Sequence, residues 1–250
     1  KMFVSDRQRR TEMEGNMKIV IAPSKTMKYQ KIPFVGSEPL FPEETQYLTN
    51  ILKQYNDEQL CQLMKISYKQ ATQVYQYFHE EQAAHPALAF YQGTVFKQLE
   101  LASYINHHDY LLEHLRILDA YYGVLKYNTL ITPYRLDMTM KPDHINLYDY
   151  WYTPLYQHFE QVDFIISLAS KEFTNMLRHP HIYFIDFMIN DQGKMKRNAM
   201  IIKKVRGQML NQMVLNEICT LDELKTLNID GFTYQPDYNQ EGTLAFVKVL

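Results

Sequence analysis

The stretch HLRILDAYYGVLKYNTLITPYRLDM, residues 114–138, decides the fold of this chain. Leu111, Leu112, Leu115 and Leu118 recur at the i, i+3 and i+4 spacing of one apolar helix face. Tyr121-Tyr122-Gly123 then supplies a glycine where helices commonly end. A second apolar segment follows and leaves through Pro133-Tyr134-Arg135. The pattern predicts a helix from about residue 107, a tight turn at Gly123 and a further apolar element. Together they make a helix-hairpin-helix-like unit over 107–138. A turn of that kind can aim consecutive backbone N–H groups at one phosphate.

On the N-terminal side, residues 18–22 (KIVIA) are a β-branched apolar run stopped by Pro23, which reads as a buried strand. Pro42 with Glu43 and Glu44 is a helix start, and Ser67 with Gln70 is a capping box. A short strand is expected at 88–91, then Gly93 and a helix carrying Phe96, Leu99 and Leu101. Pro154 belongs in a first turn, so the next helix is expected to start near Thr153. Further strands read at 162–168, 181–189 and 242–249. Asn190-Asp191-Gln192-Gly193 is a hairpin turn, with 194–202 as its partner strand. A helix follows from about 203 to 218. Strands at both ends and helices between them give an α+β class: a compact mixed sheet with surrounding helices, and a late β-hairpin near 181–202. Residues 1–16 read as an appended or upstream segment and 17–250 as a single domain.

The chain has 250 residues, 46% hydrophobic and 22% charged, enough apolar mass for a sizeable core. Its net charge of −2 means that any nucleic-acid contact must come from a local patch. Only eight glycines argue against a Gly-rich nucleotide fold. Cys61 and Cys219 form no CxxC, which fits reduced core thiols in a cytoplasmic protein. No apolar run reaches the roughly 18 residues of a membrane span. The histidines have no ligand spacing, so no metal and no cofactor are expected.

Two segments could carry chemistry. Ser24-Lys25-Thr26 follows the first strand, on the kind of loop where sites are placed. The pair Ser24 and Lys25 could be a nucleophile and base, Lys25 could form a Schiff base, or the segment could be a polar turn. From Gln192 to Asn216 there is no acidic residue, while Lys194, Lys196, Arg197, Lys203, Lys204 and Arg206 are all cationic. The last three fall where a helix is expected to begin, against its macrodipole. Free N–H groups and cations at that end would make an anion pocket, most naturally for phosphate. Arg135, with Asp137 two residues on, is a second anion contact or a structural ion pair.

The set IAPSKTMKY (21–29), LRILDAYYGVLKYNTLITPYRLDM (115–138), LYDYW (147–151), ISLASKEF (166–173), IKKVRG (202–207) and GFTY (231–234) resembles the YaaA family of peroxide-stress proteins, in family order and spacing from about Met17 onwards. The resemblance implies a bacterial cytoplasmic protein that limits damage under hydrogen peroxide. It also implies an α+β fold with a positively charged cleft and a helix-hairpin-helix element, for which DNA binding has been proposed. Carried over by position, the cleft residues are Ser24, Lys25, Thr26, Arg116, Tyr122, Gly123, Tyr134, Arg135, Ser170, Lys203, Lys204, Arg206 and Gly207. The family's hairpin S-G-L-Y-G reads Asp119-Ala120-Tyr121-Tyr122-Gly123 here, trading a glycine for alanine and gaining an acid. The expected partner is duplex DNA, bent or damaged, held by its backbone and shape, or else a phosphate-bearing small molecule. The alternative is an enzyme using Lys25, either DNA lyase or glycosylase-like or acting on a phosphorylated small molecule, with Asp137 or Glu172 as the acid/base partner.

Overall fold

The computed structural model describes residues 15–250. The expected upstream segment, residues 1–16, lies outside the described residues except for Gly15 and Asn16. Asn16 already exchanges hydrogen bonds with Asp163: its N–H donates to Oδ2 at 2.6 Å, and its carbonyl accepts from the Asp163 N–H at 2.9 Å.

The sheet is built on β1 (Met17–Ile21), every residue of which is buried. Burial on both faces is what a strand needs when it is flanked by parallel neighbours, and it explains the continuous apolar run MKIVI. On one side β1 pairs with β3 (Leu115–Asp119), and on the other with β6 (Phe164–Ser167), both parallel. Next come β7 (Ile182–Asp191) and β11 (Thr243–Val249), again parallel. Antiparallel strands finish the edges. β4 (Gly123–Leu125) lies beyond β3, and β10 (Phe232–Tyr234) and β9 (Asn228–Ile229) lie beyond β11. The order β4-β3-β1-β6-β7-β11-β10-β9 reverses its direction of growth at β1. β8 (Lys194–Lys196) folds back on β7. Two short strands, β2 (His85–Pro86) and β5 (Leu130–Ile131), pair apart from this sheet. The mixed sheet and its surrounding helices are α+β, as the sequence implies.

The helices are α1 (Pro42–Leu52), α2 (Asp57–Met64), α3 (Tyr68–His79), α4 (Ala87–Phe90), α5 (His108–His114), α6 (Leu147–Phe159), α7 (Lys171–Thr174), α8 (Ala199–Leu215) and α9 (Leu221–Thr226). Pro42 opens α1 and the Ser67–Gln70 box caps α3, as expected. Among the described residues, no helix is long and apolar enough to cross a membrane.

The structure corrects the opening stretch. Helix α5 stops at His114, and Leu115–Asp119 is a strand buried along its whole length. The unit at 107–138 is therefore a helix followed by a β-hairpin, not a helix-hairpin-helix. The leucines that continue the helical stripe instead face the two sides of a buried parallel strand, where periodicity no longer distinguishes the two states. Three further boundaries move. The segment at 88–91 is mostly the short helix α4. Asn146 caps α6 by accepting from the Tyr148 N–H, so the helix starts six residues before Thr153 and carries Pro154 inside it. Asn198 accepts from the N–H groups of Met200 and Ile201, so α8 begins at Ala199 and cuts the hairpin's second strand to three residues.

Candidate functional site

A sheet whose order reverses leaves a crevice at the carboxyl ends of the two strands on either side of the reversal, because the following loops part there. Here those strands are β1 and β6. The loop after β1 carries Pro23, Ser24, Lys25 and Thr26, and the segment after β6 carries Ser170, Glu172 and Phe173. Between them lies a cleft of about 480 Å³, closed on its other sides by residues 92–96 and by Lys203 and Arg206 of α8. A second cavity shares the walls Ser24, Lys25, Glu172 and Phe173 and reaches Tyr134, Arg135 and Asp137. The loop after the first strand, the exit of the opening stretch and the late basic cluster thus meet at one place.

Lys25 Nζ lies 2.6 Å from Asp137 Oδ2, and the lysine is well exposed while the carboxylate is mostly covered. Glu172 stands on the same wall. The three candidate acid/base residues are therefore neighbours. Ser24 Oγ accepts from the Thr26 N–H at 3.2 Å, which holds the loop as a turn. Gly93 has φ of +120°, and a Cβ there would stand 3.0 Å from Ser24 Oγ. This glycine lets the facing loop close over Ser24. Ser170 sits at the N-cap position of α7 and faces the cleft.

The basic cluster divides. Because α8 starts at Ala199, Lys203, Lys204 and Arg206 lie one to two turns inside it, and the expected clash with the helix dipole does not arise. Lys203 and Arg206 line the cleft. Lys204 points away to Asp230, at 3.4 Å. Lys196 pairs with Asp191 at 2.5 Å, and Arg197 grips Asp186, with Nη2 to Oδ2 at 2.7 Å. Arg206 lies over the Phe184 ring, 5.5 Å from its centroid, and burial lowers its guanidinium from the usual range. Arg135 Nε and Arg206 Nε are both buried with no hydrogen-bond partner in the protein.

Other carried-over residues serve the fold. Gly207 allows α8 to touch the 92–96 segment, since a Cβ would lie 2.3 Å from the Val95 carbonyl oxygen. Gly123 has φ of +73°, and a Cβ there would stand 2.6 Å from the Trp151 ring. Tyr122 is buried, and its hydroxyl accepts from the Thr132 N–H at 3.1 Å. The two N–H groups at the tip of the hairpin are already taken and do not face a phosphate. Asp119 Oδ1 accepts from the N–H groups of Tyr121 at 2.7 Å and Tyr122 at 2.9 Å, and the whole turn is buried. The acid that replaces the family's serine caps the turn from inside, and Ala120 needs no positive φ. Tyr134 is buried behind the cleft wall, with its hydroxyl bonded to Asp119 and Tyr91.

Arg116 lies away from the cleft. Its Nη1 donates to the Leu112 and Leu115 carbonyls, and its Nε donates to His158 Nε2 at 3.3 Å. That bond requires a neutral His158 with Nε2 unprotonated. Burial, then the Arg116 charge, pushes His158 down to about 4. A depressed folded-state value stabilises the protein fully above the ordinary 6.5, and this stabilisation is lost as pH falls toward 4. Over that window we expect a loss on the order of 2 kcal/mol relative to His158→Gln, which cannot charge but keeps an acceptor. Urea unfolding of both proteins from pH 7 to pH 4 checks this. Parallel curves would exclude His158 as the source.

Several residues facing the site give no sequence signal: Gln92, Thr94, Lys171, Phe184 and Asp186 come from scattered segments. Gly93 alone, a glycine just after a short apolar run, is a legible marker. Among the described residues, no group of three or more His, Cys, Asp or Glu is placed to hold a metal ion.

The family described as peroxide stress protein YaaA matches residues 17–238. The chain belongs to this family. Among its relatives, a UPF0246 protein of Crocosphaera subtropica is 32% identical, covering 93% of this chain and 100% of that one. A UPF0246 protein of Finegoldia magna is 33% identical over 94% and 99% of the two chains. One from Fusobacterium nucleatum is 30% identical over 93% and 99%. YaaA-family membership therefore extends over both walls of the cleft, from the Ser24 loop to α8.

Proposed function

We propose that the cleft binds phosphates of DNA, and that this peroxide-stress-family protein recognises backbone and shape rather than base sequence. The observation that carries the reading is the pair Arg135 and Arg206, two guanidiniums lining the cleft and its adjoining cavity whose Nε atoms have no hydrogen-bond partner in the protein. A guanidinium set in a cleft wall offers its outer N–H groups to a phosphate, the planar pairing that arginine suits best. Lys25 and Lys203 add to the same walls, so four cations face two carboxylates, Asp137 and Glu172. A cleft of about 480 Å³ holds one strand's backbone rather than a whole duplex, which favours a strand exposed at a bend or gap. Lys25 enters as a phosphate contact. Imine formation starts from a free amine, and Lys25 is instead engaged with Asp137.

The test is binding to plain, bent and gapped duplexes across a salt series. With up to four phosphates neutralised, the log–log slope is expected near −3, roughly a hundred-fold loss of affinity between 50 and 200 mM salt. Lys203→Ala should reduce the slope by about 1 without changing sequence preference. Affinity that stays flat with salt, or inorganic phosphate binding with no DNA binding, sinks the reading.

A further inference from the structure

Beside the main cleft, and opening on it past Ser170 and Arg206, lies a lobe of about 310 Å³ with a different chemistry. Its apolar surfaces are the Phe184 ring and Ile202. The Arg206 guanidinium lies over that ring. Its polar side carries Gln240, Thr243 and the Asp186 carboxylate. Arg197 holds Asp186 in place with three contacts: Nε to Oδ1 at 3.3 Å, Nε to Oδ2 at 3.2 Å and Nη2 to Oδ2 at 2.7 Å.

Lys171, Arg197 and Arg206 share this lining with the single carboxylate, so what suits the lobe to a base is its aromatic wall and fixed acceptor rather than its charge. An aromatic floor flanked by a guanidinium suits a flat π-system. A fixed acceptor at the edge suits a ring that presents N–H or amino hydrogens. Those two demands describe a nucleobase. Arg206 lines both cavities, so one residue would face the phosphate and the base of the same nucleotide.

We propose that this lobe is a nucleobase subsite, in which one unstacked base packs against Phe184 beside the Arg206 guanidinium, with its hydrogen-bonding edge toward Asp186 and Gln240. For a base delivered by DNA the proposal rests on the phosphate-binding reading above. The same chemistry would also take the base of a free nucleotide.

The experiment measures wild type, Phe184→Ala and Phe184→Tyr by fluorescence anisotropy on three duplexes: fully paired, with one bulged nucleotide, and with an abasic residue in the bulge. Stacking predicts that wild type binds the base-bearing bulge about ten-fold or more tightly than the abasic one. Phe184→Ala should abolish that difference, beyond any loss shared by all three duplexes through Arg206, and Phe184→Tyr should keep it. Equal wild-type affinity for the two bulges overturns the subsite while phosphate binding stands. So does a Phe184→Ala loss of the same size on all three duplexes. Absence of binding to every duplex removes the DNA reading alone, and equilibrium dialysis with adenosine and guanosine monophosphates then decides the subsite. Saturable binding lost in Phe184→Ala upholds it with a free nucleotide as the source. No binding of either nucleotide overturns it.

Discussion

Gly207→Ala is expected to destabilise the protein by roughly 2–4 kcal/mol, although alanine is the better helix former. Helix propensity alone favours the change by about 1 kcal/mol. Against that gain, the new Cβ would meet the Val95 carbonyl oxygen at 2.3 Å and Gln98 Cγ at 2.9 Å. Val95 cannot simply retreat, because its segment is held on both sides. The Gln92 N–H donates to the Thr26 carbonyl at 2.8 Å, and the Lys97 N–H donates to the Gly93 carbonyl at 3.0 Å. The strain is therefore relieved by moving α8 outward, which draws Lys203 and Arg206 from the other cleft wall. Urea unfolding and duplex affinity should fall together. A variant as stable as the parent, or more so, would show that the close approach of α8 to the 92–96 segment is not needed.

The sequence was legible where one period has one meaning. The parallel strands at 17–21 and 164–167 stand out as apolar runs because they are buried on both faces, and 182–191 stands out by its β-branched and aromatic residues. The caps at Pro42 and Ser67 and the turn at Asn190–Gly193 are local chemistry, and they fold as they read. Residues 115–119 misled because a strand buried on both faces and a helix with an apolar stripe can share the same leucines. The start of α8 misled because Asn198, a modest residue in the sequence, supplies the cap, whereas the conspicuous lysines lie further in. Of the residues singled out in the sequence, Ser24, Lys25, Arg135, Asp137, Glu172, Lys203 and Arg206 line the two cavities, since charges at strand ends and in an acid-free run are visible locally. Arg116, Tyr122 and Lys204 lie off those cavities, because a residue's position in a motif does not say which face of a strand or helix it occupies. The Phe184–Asp186 lobe was not legible at all. It exists only where β7, α8 and the 240–243 segment meet.

Asp119→Ala is expected to cost roughly 3–5 kcal/mol, because the carboxylate is the shared acceptor for four donors and has no exposed surface. Oδ1 receives the Tyr121 and Tyr122 N–H groups that form the hairpin turn. Oδ2 receives the hydroxyls of Tyr91, at 2.9 Å, and Tyr134. Truncation strands two backbone N–H groups, leaves the Tyr91 and Tyr134 hydroxyls with only each other, and opens a void among buried aromatic rings. The effect should reach the site, since Tyr134 precedes Arg135 and its hydroxyl is what ties that segment to the sheet. Duplex affinity should fall even where the protein remains folded. Asp119→Asn separates charge from shape: its oxygen can still accept the two N–H groups, so the loss should be smaller. Burial raises the Asp119 carboxyl above its ordinary 3.8, against the opposing pull of its hydrogen bonds. A raised folded-state value gives a contribution that is full below the unfolded pKa and lost as pH rises through the folded one. The stability gap between wild type and Asp119→Asn should therefore be widest in acid and narrow toward neutral pH. Unfolding measured from pH 3 to pH 8 would expose a gap that widens instead, and that result would mean that the ionised form is the one the site prefers.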